Sequence, residues 1–281
     1  MSGPVVTLLY APADRPDLVA KAIRSPADVV ALDLEDAVTP AHKDSARDTV
    51  LQVLDRTDRP VQVRINAVGT PWHDEDVSLL SALRPDVGVR LPKTEAVEQV
   101  TATAQRLPGH PLHLLVETAL GVERAFMLAT ADPAVASIGL GEADLRSDLR
   151  CTSDEGLFFA RSRLVLAARA AGLPSPMMSV YPHVRDLDGL RTSCAAGRRL
   201  GFCGRAAIHP GQLAAIRAGF APSADEIEHA RQVVDRVRTA TDAGIGAVLL
   251  DDGTFLDVAM VEQARAVLAL AAATSGDPER A

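Results

Sequence analysis

Residues 29–66 read VVALDLEDAVTPAHKDSARDTVLQVLDRTDRPVQVRIN, and this stretch contains one complete repeat of the fold. Its first run, 29–34, is apolar without period-two alternation, as expected of a parallel strand covered on both faces. Pro40 then opens an amphipathic stretch, AHKDSARDTVLQVL, with the spacing of a helix. A second apolar run follows at 61–65. Strand, helix and strand in that order predict a βαβ unit.

Outward from this unit, similar apolar runs stand at 5–11, 87–91, 112–117, 137–140, 177–180 and 204–208. Helix signals separate them: Asp14 before RPDLVAKAI, Thr94 before EAVEQVTATAQRL, and the stretches 155–171 and 186–200. Eight alternations predict a (β/α)₈ TIM barrel over residues 1–220, and a doubly wound open sheet is the other arrangement compatible with the pattern. Residues 221–281 predict a helix–hairpin–helix extension. A polar helix runs from Pro222-Ser223 to about Thr241, a hairpin turns at Asp252-Gly253, and an Ala-rich helix spans about 258–272. Such an extension serves as a plug, a lid or an arm on another subunit.

Composition narrows the function classes. The chain has 281 residues, 47% of them hydrophobic, enough for one large core. Its 29 basic and 37 acidic residues give a net charge of −8, and with one Trp and two Tyr there is no basic or aromatic platform for nucleic acid. The N-terminal residues lack a signal-peptide pattern, and no apolar run approaches the roughly 20 residues of a membrane helix. Three cysteines without paired spacing fit a reduced, cytoplasmic protein.

In a barrel of this kind functional groups gather where strands end and βα loops begin. Those ends read Asp33-Leu34-Glu35-Asp36, Arg64-Ile65-Asn66, Pro92-Lys93, Glu117-Thr118, Gly141-Glu142-Ala143-Asp144 and His209-Pro210. Charged groups at six of eight ends exceed what a structural rim needs. Glu117 and Asp144 are candidate Mg²⁺ ligands, because a hard cation takes oxygen donors and often only one or two protein carboxylates; helix-start capping is their other reading. Arg64 could clamp a substrate carboxylate bidentately, or pair with Glu35 or Asp36 across the mouth. Asp33 and Glu35 share one strand face, and Asp36 begins the loop. These acids could hold metal waters, accept a proton or orient Arg64, or they could form a structural network. Lys93 and Glu95 read as a local pair at a helix start, and His209 as a hydrogen-bonded rim residue or a ligand contact. Gly139-Leu140-Gly141 does not complete a dinucleotide-binding fingerprint, since the sixth position is Asp144.

Nine stretches, in order and at matching spacing, carry a resemblance. They are LLYAPADRPDLVAKA, ADVVALDLEDAVTPAHKDSAR, VRINAVGTPWHDED, LPKTEAVEQV, LLVETALGVERA, GLGEADLRSDL, GFCGRAAIHPGQL, SADEIEHARQVVD and DDGTFLDVAMVEQA. Together they resemble the citrate lyase β-subunit-like branch of the HpcH/HpaI aldolase family. The resemblance implies a Mg²⁺-dependent barrel, homotrimeric or hexameric. Its substrates would be 3-hydroxy-acyl thioesters of CoA or an acyl carrier protein, citryl or malyl among them, and a 2-oxo acid. By motif, Glu117 and Asp144 correspond to the metal ligands and Arg64 to the carboxylate clamp. Glu35 and Asp36 correspond to acids beside the metal waters, and Asp257 to a general acid/base delivered by a neighbouring subunit's lid. Asp36 stands where the aldolase branch carries histidine, which favours the thioester lyases. A malyl-thioester hydrolase, a pyruvate-type class II aldolase and a non-catalytic subunit of a lyase complex remain as alternatives.

Overall fold

The computed structural model describes residues 3–242, 248–249, 255–256 and 258–275. All eight expected strands form: β1 (Thr7–Pro12), β2 (Val29–Asp33), β3 (Val61–Arg64), β4 (Gly88–Leu91), β5 (Leu112–Val116), β6 (Val135–Leu140), β7 (Met177–Met178) and β8 (Gly204–Ala207). They pair in parallel in the order β6-β5-β4-β3-β2-β1-β8-β7, a TIM barrel nearly closed at the seam between its first and last members. No ladder joins β6 to β7 among the described residues; the Glu142 amide reaches Ser179 Oγ across the seam at 3.3 Å. The open sheet is thereby set aside.

The connecting helices are α1 (Pro16–Ile23), α2 (Lys43–Leu54), α3 (His73–Ser81), α4 (Val97–Arg106), α5 (Ala119–Glu123), α6 (Ala125–Ala129), α7 (Glu142–Leu149), α8 (Phe158–Ala170), α9 (Leu187–Arg199) and α10 (Leu213–Phe220). Two helix starts differ from the sequence reading. Asp14 does not cap α1; its Oδ2 lies 3.0 Å from His42 Nδ1, and Arg15 takes the cap position. Thr94 does not cap α4, because its hydroxyl donates back to the Leu91 carbonyl at 2.9 Å. Gln99 Oε1 accepts from the Glu95 and Ala96 amides instead, at 2.9 and 3.0 Å, so the helix begins at Val97.

Alternation along the strands divides the core in two. Leu9, Val30, Leu32, Val63, Val89 and Leu91 pack outward under the helices. The inward residues Leu8, Val29, Ala31 and Ala206 form a smaller apolar cluster with Tyr10, Met177 and Val180. Across from it the lining is polar. Cα register places Asp33, Arg64, Arg90, His113 and Ser137 in one row over β2 to β6. Strand stagger carries that row from the mouth down into the barrel.

Beyond α10 come α11 (Ala224–Asp242), an antiparallel pair of β9 (Val248–Leu249) with β10 (Phe255–Leu256), and α12 (Val258–Thr274). The helices pack through Ala230, Val233, Val261 and Ala264. The expected turn at Asp252-Gly253, and Asp257, lie outside the described residues. No described helix is long and apolar enough to cross a membrane.

A buried network fixes the loops after β2 and β3. Lys43, on α2, donates to the carbonyls of Leu34 and Glu35 and to Asn66 Oδ1 at 2.6, 2.8 and 2.7 Å. Asp76, fully buried on α3, accepts from Arg47 Nε, the Asn66 amide and Asn66 Nδ2 at 2.7, 2.8 and 2.6 Å. Asp76→Ala takes the partner from Arg47 Nε and from the Asn66 backbone amide, both buried, so urea unfolding should show a loss of about 3 kcal/mol. A change under about 0.5 kcal/mol, as at an ordinary surface site, would mean the network carries no stability.

Candidate active site

One cavity of about 1190 Å³ opens at the C-terminal end of the barrel and runs through its interior. Asp33, Asp36, Arg64, Glu117, Gly141, Ala143 and Asp144 all line it. The structure therefore brings the acids after β2, the arginine of β3, the glutamate after β5 and the aspartate of α7 to one place.

Arg64 is held by acids. Its Nε and Nη2 donate to the two Asp33 oxygens at 2.8 and 2.5 Å. Asp33 is oriented in turn by the Glu35 amide, 2.9 Å from Oδ1. Arg64 Nη1 lies 3.0 Å from Glu35 Oε2, yet the angles are not those of a hydrogen bond, and that oxygen is buried without a hydrogen-bond partner among the described residues. Proximity is real there, but only Coulomb attraction acts. Burial acts against the Arg64 charge, and the Asp33 bond outweighs it, so the guanidinium titrates above its usual range.

Lys93 ties two strand ends together. The reading of a local pair with Glu95 is corrected: Glu95 Oε2 accepts from Thr118 Oγ1 at 2.8 Å, while Lys93 Nζ reaches Glu35 Oε1 at 2.6 Å and Asp36 Oδ1 at 3.4 Å. Lys93 sits at φ 49°, a left-handed conformation costing roughly 1 kcal/mol for a residue with a side chain. That twist turns its backbone amide onto Glu117 Oε2 at 2.7 Å.

Glu117 is only 3% exposed. Burial, reinforced by the Glu35 charge, pushes its carboxyl up to about 7. No arginine or lysine side chain forms an ion pair with it among the described residues; its Oε1 lies over Gly141, where any side chain would collide with the carboxylate. Asp144 is exposed on the same cavity and has no hydrogen-bond partner among the described residues. Glu142 is turned away, both its oxygens held at 2.8 Å by Arg161 of α8. His209 accepts from the Gly211 amide through Nδ1 at 3.0 Å, a capping role at the rim.

These donors suit a hard dication. Glu117 and Asp144 offer oxygens alone, one desolvated and neither neutralised by a bonded cation, and the cavity leaves room for water and substrate. Among the described residues no group of three or more His, Cys, Asp or Glu could hold a metal, so a site here would be an open, two-carboxylate one. Sequence reading missed Lys93 as a site residue and passed over the inward polar row of Arg90, His113 and Ser137. For Arg90 the available signal was period-two alternation, which puts it on the strand face opposite to Val89 and Leu91.

The family model described as HpcH/HpaI aldolase/citrate lyase matches residues 6–210. A (3S)-malyl-CoA thioesterase of Cereibacter sphaeroides is 34% identical over 276 residues, covering 96% of this chain and 95% of its own. The citrate lyase subunit beta of Escherichia coli is 33% identical over 282 residues, covering 94% and 92%. The crystal structure of the CitE protein of Mycobacterium tuberculosis in complex with magnesium, acetoacetate and coenzyme A is similar with a TM-score of 0.79 and 33% identity, covering 96% of this chain and 98% of that one.

The raised Glu117 carboxyl has a consequence for stability. A folded-state value of about 7 against an ordinary 4.5 gives stability that is fully present below 4.5 and lost as pH rises through 7. The loss is roughly 3 kcal/mol. In EDTA, Glu117→Gln should remove this fall between pH 5 and 8 and match or exceed the parent's stability at pH 8. Thermal melts across that range check it; a parallel fall in both proteins would rule Glu117 out as its source.

Proposed function

The chain belongs to the HpcH/HpaI aldolase/citrate lyase family, and on that footing we propose that it is a Mg²⁺-dependent carbon–carbon lyase that cleaves or forms a 3-hydroxy-acyl thioester of CoA or an acyl carrier protein. The observation that carries this reading is the meeting of Glu117, Asp144 and Arg64 on one cavity at the active end of a TIM barrel. Support for Mg²⁺ comes from the oxygen-only donor pair and from the magnesium-bound M. tuberculosis CitE structure.

Glu117 and Asp144 would hold the ion, which when bound supplies Lewis-acid stabilisation of oxygen charge on the substrate. Arg64 orients a substrate carboxylate. Because Asp33 fixes Nε and Nη2, the plane of the guanidinium is set before substrate arrives, and Nη1, beside Glu35 but not hydrogen-bonded to it, is left to bond the substrate carboxylate. Glu35 and Asp36 stand beside it to accept the hydroxyl proton. Burial raises the Glu35 carboxyl, which brings its basicity nearer to neutral pH. The bond between the hydroxyl carbon and the carbon next to the thioester then breaks. Its electrons remain on the thioester fragment as an enolate, and the hydroxyl carbon becomes the carbonyl of a 2-oxo acid or aldehyde. Asp257 returns a proton to the enolate, a role that rests on the resemblance of its motif.

A thioester hydrolase is the second reading, favoured by the 34% identity to the malyl-CoA thioesterase. Self-association belongs to the proposal too. Phe158, Phe159 and Leu166 of α8 and Phe126 and Met127 of α6 stay exposed, apolar area suited to another copy in a trimer or hexamer. The three free cysteines fit a reducing cytoplasm.

Mass analysis after incubation with citryl-CoA, malyl-CoA and related hydroxyacyl thioesters in Mg²⁺ tests the reading. Intact shorter thioester plus 2-oxo acid or aldehyde is expected; free CoA plus hydroxy acid would make the chain a hydrolase, and no turnover or Mg²⁺ binding would leave a non-catalytic subunit. Arg64→Ala should lower kcat/KM about 100-fold or more, with little rescue by Arg64→Lys, which lacks the planar fork.

Mixing inactive Arg64→Ala and Asp257→Ala proteins should restore activity in mixed oligomers. Absence of recovery under conditions of subunit exchange would count against a site shared between copies.

A further inference from the structure

Arg90 is a buried charge that the proposed reaction leaves unused. It is 7% exposed and lies on β4, next below Arg64 in the inward row. Its one side-chain hydrogen bond among the described residues runs from Nε to Gln62 Oε1 at 3.1 Å, and no described carboxylate pairs with it. The other buried arginines are served differently. Arg47 meets Asp44, Glu75 and Asp76, and Arg205 meets the Ser179 carbonyl and Ser193 Oγ. Arg90 lines the cavity, and its two terminal nitrogens make no hydrogen bond among the described residues.

Its neighbours supply no counter-charge. Tyr10, whose ring lies 5.8 Å from the Arg90 guanidinium and 5.2 Å from that of Arg64, is partly buried, and desolvation raises its hydroxyl above the ordinary range, so it stays neutral. His113 is pushed down to about 3 by burial and by the Arg90 charge, and its Nδ1 is engaged by Ser137 Oγ at 2.8 Å. An unpaired buried cation is costly, and a planar fork of free N–H groups opening on a cavity matches a carboxylate.

We propose that Arg90 is the specificity-determining residue for a second carboxylate on the 2-oxo-acid half of the substrate, seated inside the barrel below the carboxylate that Arg64 holds. The naming of that half rests on the lyase reading; the anion seat itself does not. Both guanidiniums border one tyrosine ring, which places two carboxylate-binding groups within the span of a short diacid. A substrate whose released acid carries one carboxylate would leave Arg90 unsatisfied and bind more weakly.

Lactate and malate share a 2-hydroxycarboxylate head and differ by one carboxylate, so calorimetric titration of the full chain with each, in Mg²⁺ and again in EDTA, tests the seat. The parent should bind malate at least tenfold more tightly than lactate. Arg90→Met should abolish that preference while leaving lactate affinity and the Mg²⁺-induced rise in Tm unchanged; Arg90→Lys should retain part of it. Equal affinities in the parent, or a preference that survives Arg90→Met, would overturn the proposal. So would a variant that unfolds, since Arg90 would then be a structural strut; melting no lower than the parent is expected on removing an unpaired charge. A missing Mg²⁺ response with an Arg90-dependent preference intact in EDTA would strike the metal reading and spare the seat.

Discussion

Like charges crowd one end of this barrel, and their mutual repulsion is the constraint around which the site is built. Asp33, Glu35, Asp36, Glu117 and Asp144 converge there, while among the described residues only Arg64 and Lys93 form ion pairs with members of the group. Arg64 absorbs Asp33, and Lys93 absorbs most of Glu35. Glu117 accepts only the Lys93 amide among the described residues, and burial together with the Glu35 charge lifts its carboxyl toward neutral pH. Five carboxylates against two cations leave a deficit of positive charge that a divalent ion would largely fill. Such a deficit destabilises the empty protein and is recovered on binding, so affinity for a cation is built from folding energy.

The scaffold makes that deficit tolerable by bracing it from behind. Lys43 does not enter the cavity's acid cluster; it grips the carbonyls of Leu34 and Glu35 and the side chain of Asn66. Asp76 then ties Asn66 to Arg47. The loops carrying the acids are thus fixed by bonds on the side away from the cavity, and their carboxylates remain free to face it. Gly141 belongs to the same design, since only the absence of a side chain lets the Glu117 carboxylate lie across the start of α7.

Most of the barrel was legible because each strand is a local signal: an apolar run, ended at six of eight places by a charged residue. All eight were read, with ends differing by a residue or two where the ladder stops. Glu117, Asp144, Arg64, Glu35 and Asp36 were legible for the same reason, as strand ends that topology must gather at one face. What the sequence concealed was pairing at long range. Lys93 stands two residues from Glu95, and spacing alone favours that pair, yet a left-handed backbone turn directs its side chain to Glu35, 58 positions away. The start of α4 was missed because Gln99 reaches back over Thr94's expected role. Arg90 was hidden inside an apolar run: a parallel strand in a barrel is covered on both faces, so one inward charge among Val87, Val89 and Leu91 does not disturb the strand pattern that surrounds it.

Ionised Glu117 and Arg90 are opposite in sign and alike in being desolvated on one cavity without a bonded counter-ion among the described residues. Their fields add along the line between them, so the empty barrel carries a dipole with its negative end at the mouth and its positive end within. A ligand complementary to that field has a cation at one end and a carboxylate at the other. A metal-chelated hydroxy or oxo acid with a distal carboxylate has that form; a neutral aldehyde does not. In a low-dielectric interior both ends gain when filled together, because each occupied charge reduces the repulsion or desolvation borne by its neighbours. Metal and diacid would then reinforce one another's binding, and a short monoacid would capture only the half of the field that lies at the mouth.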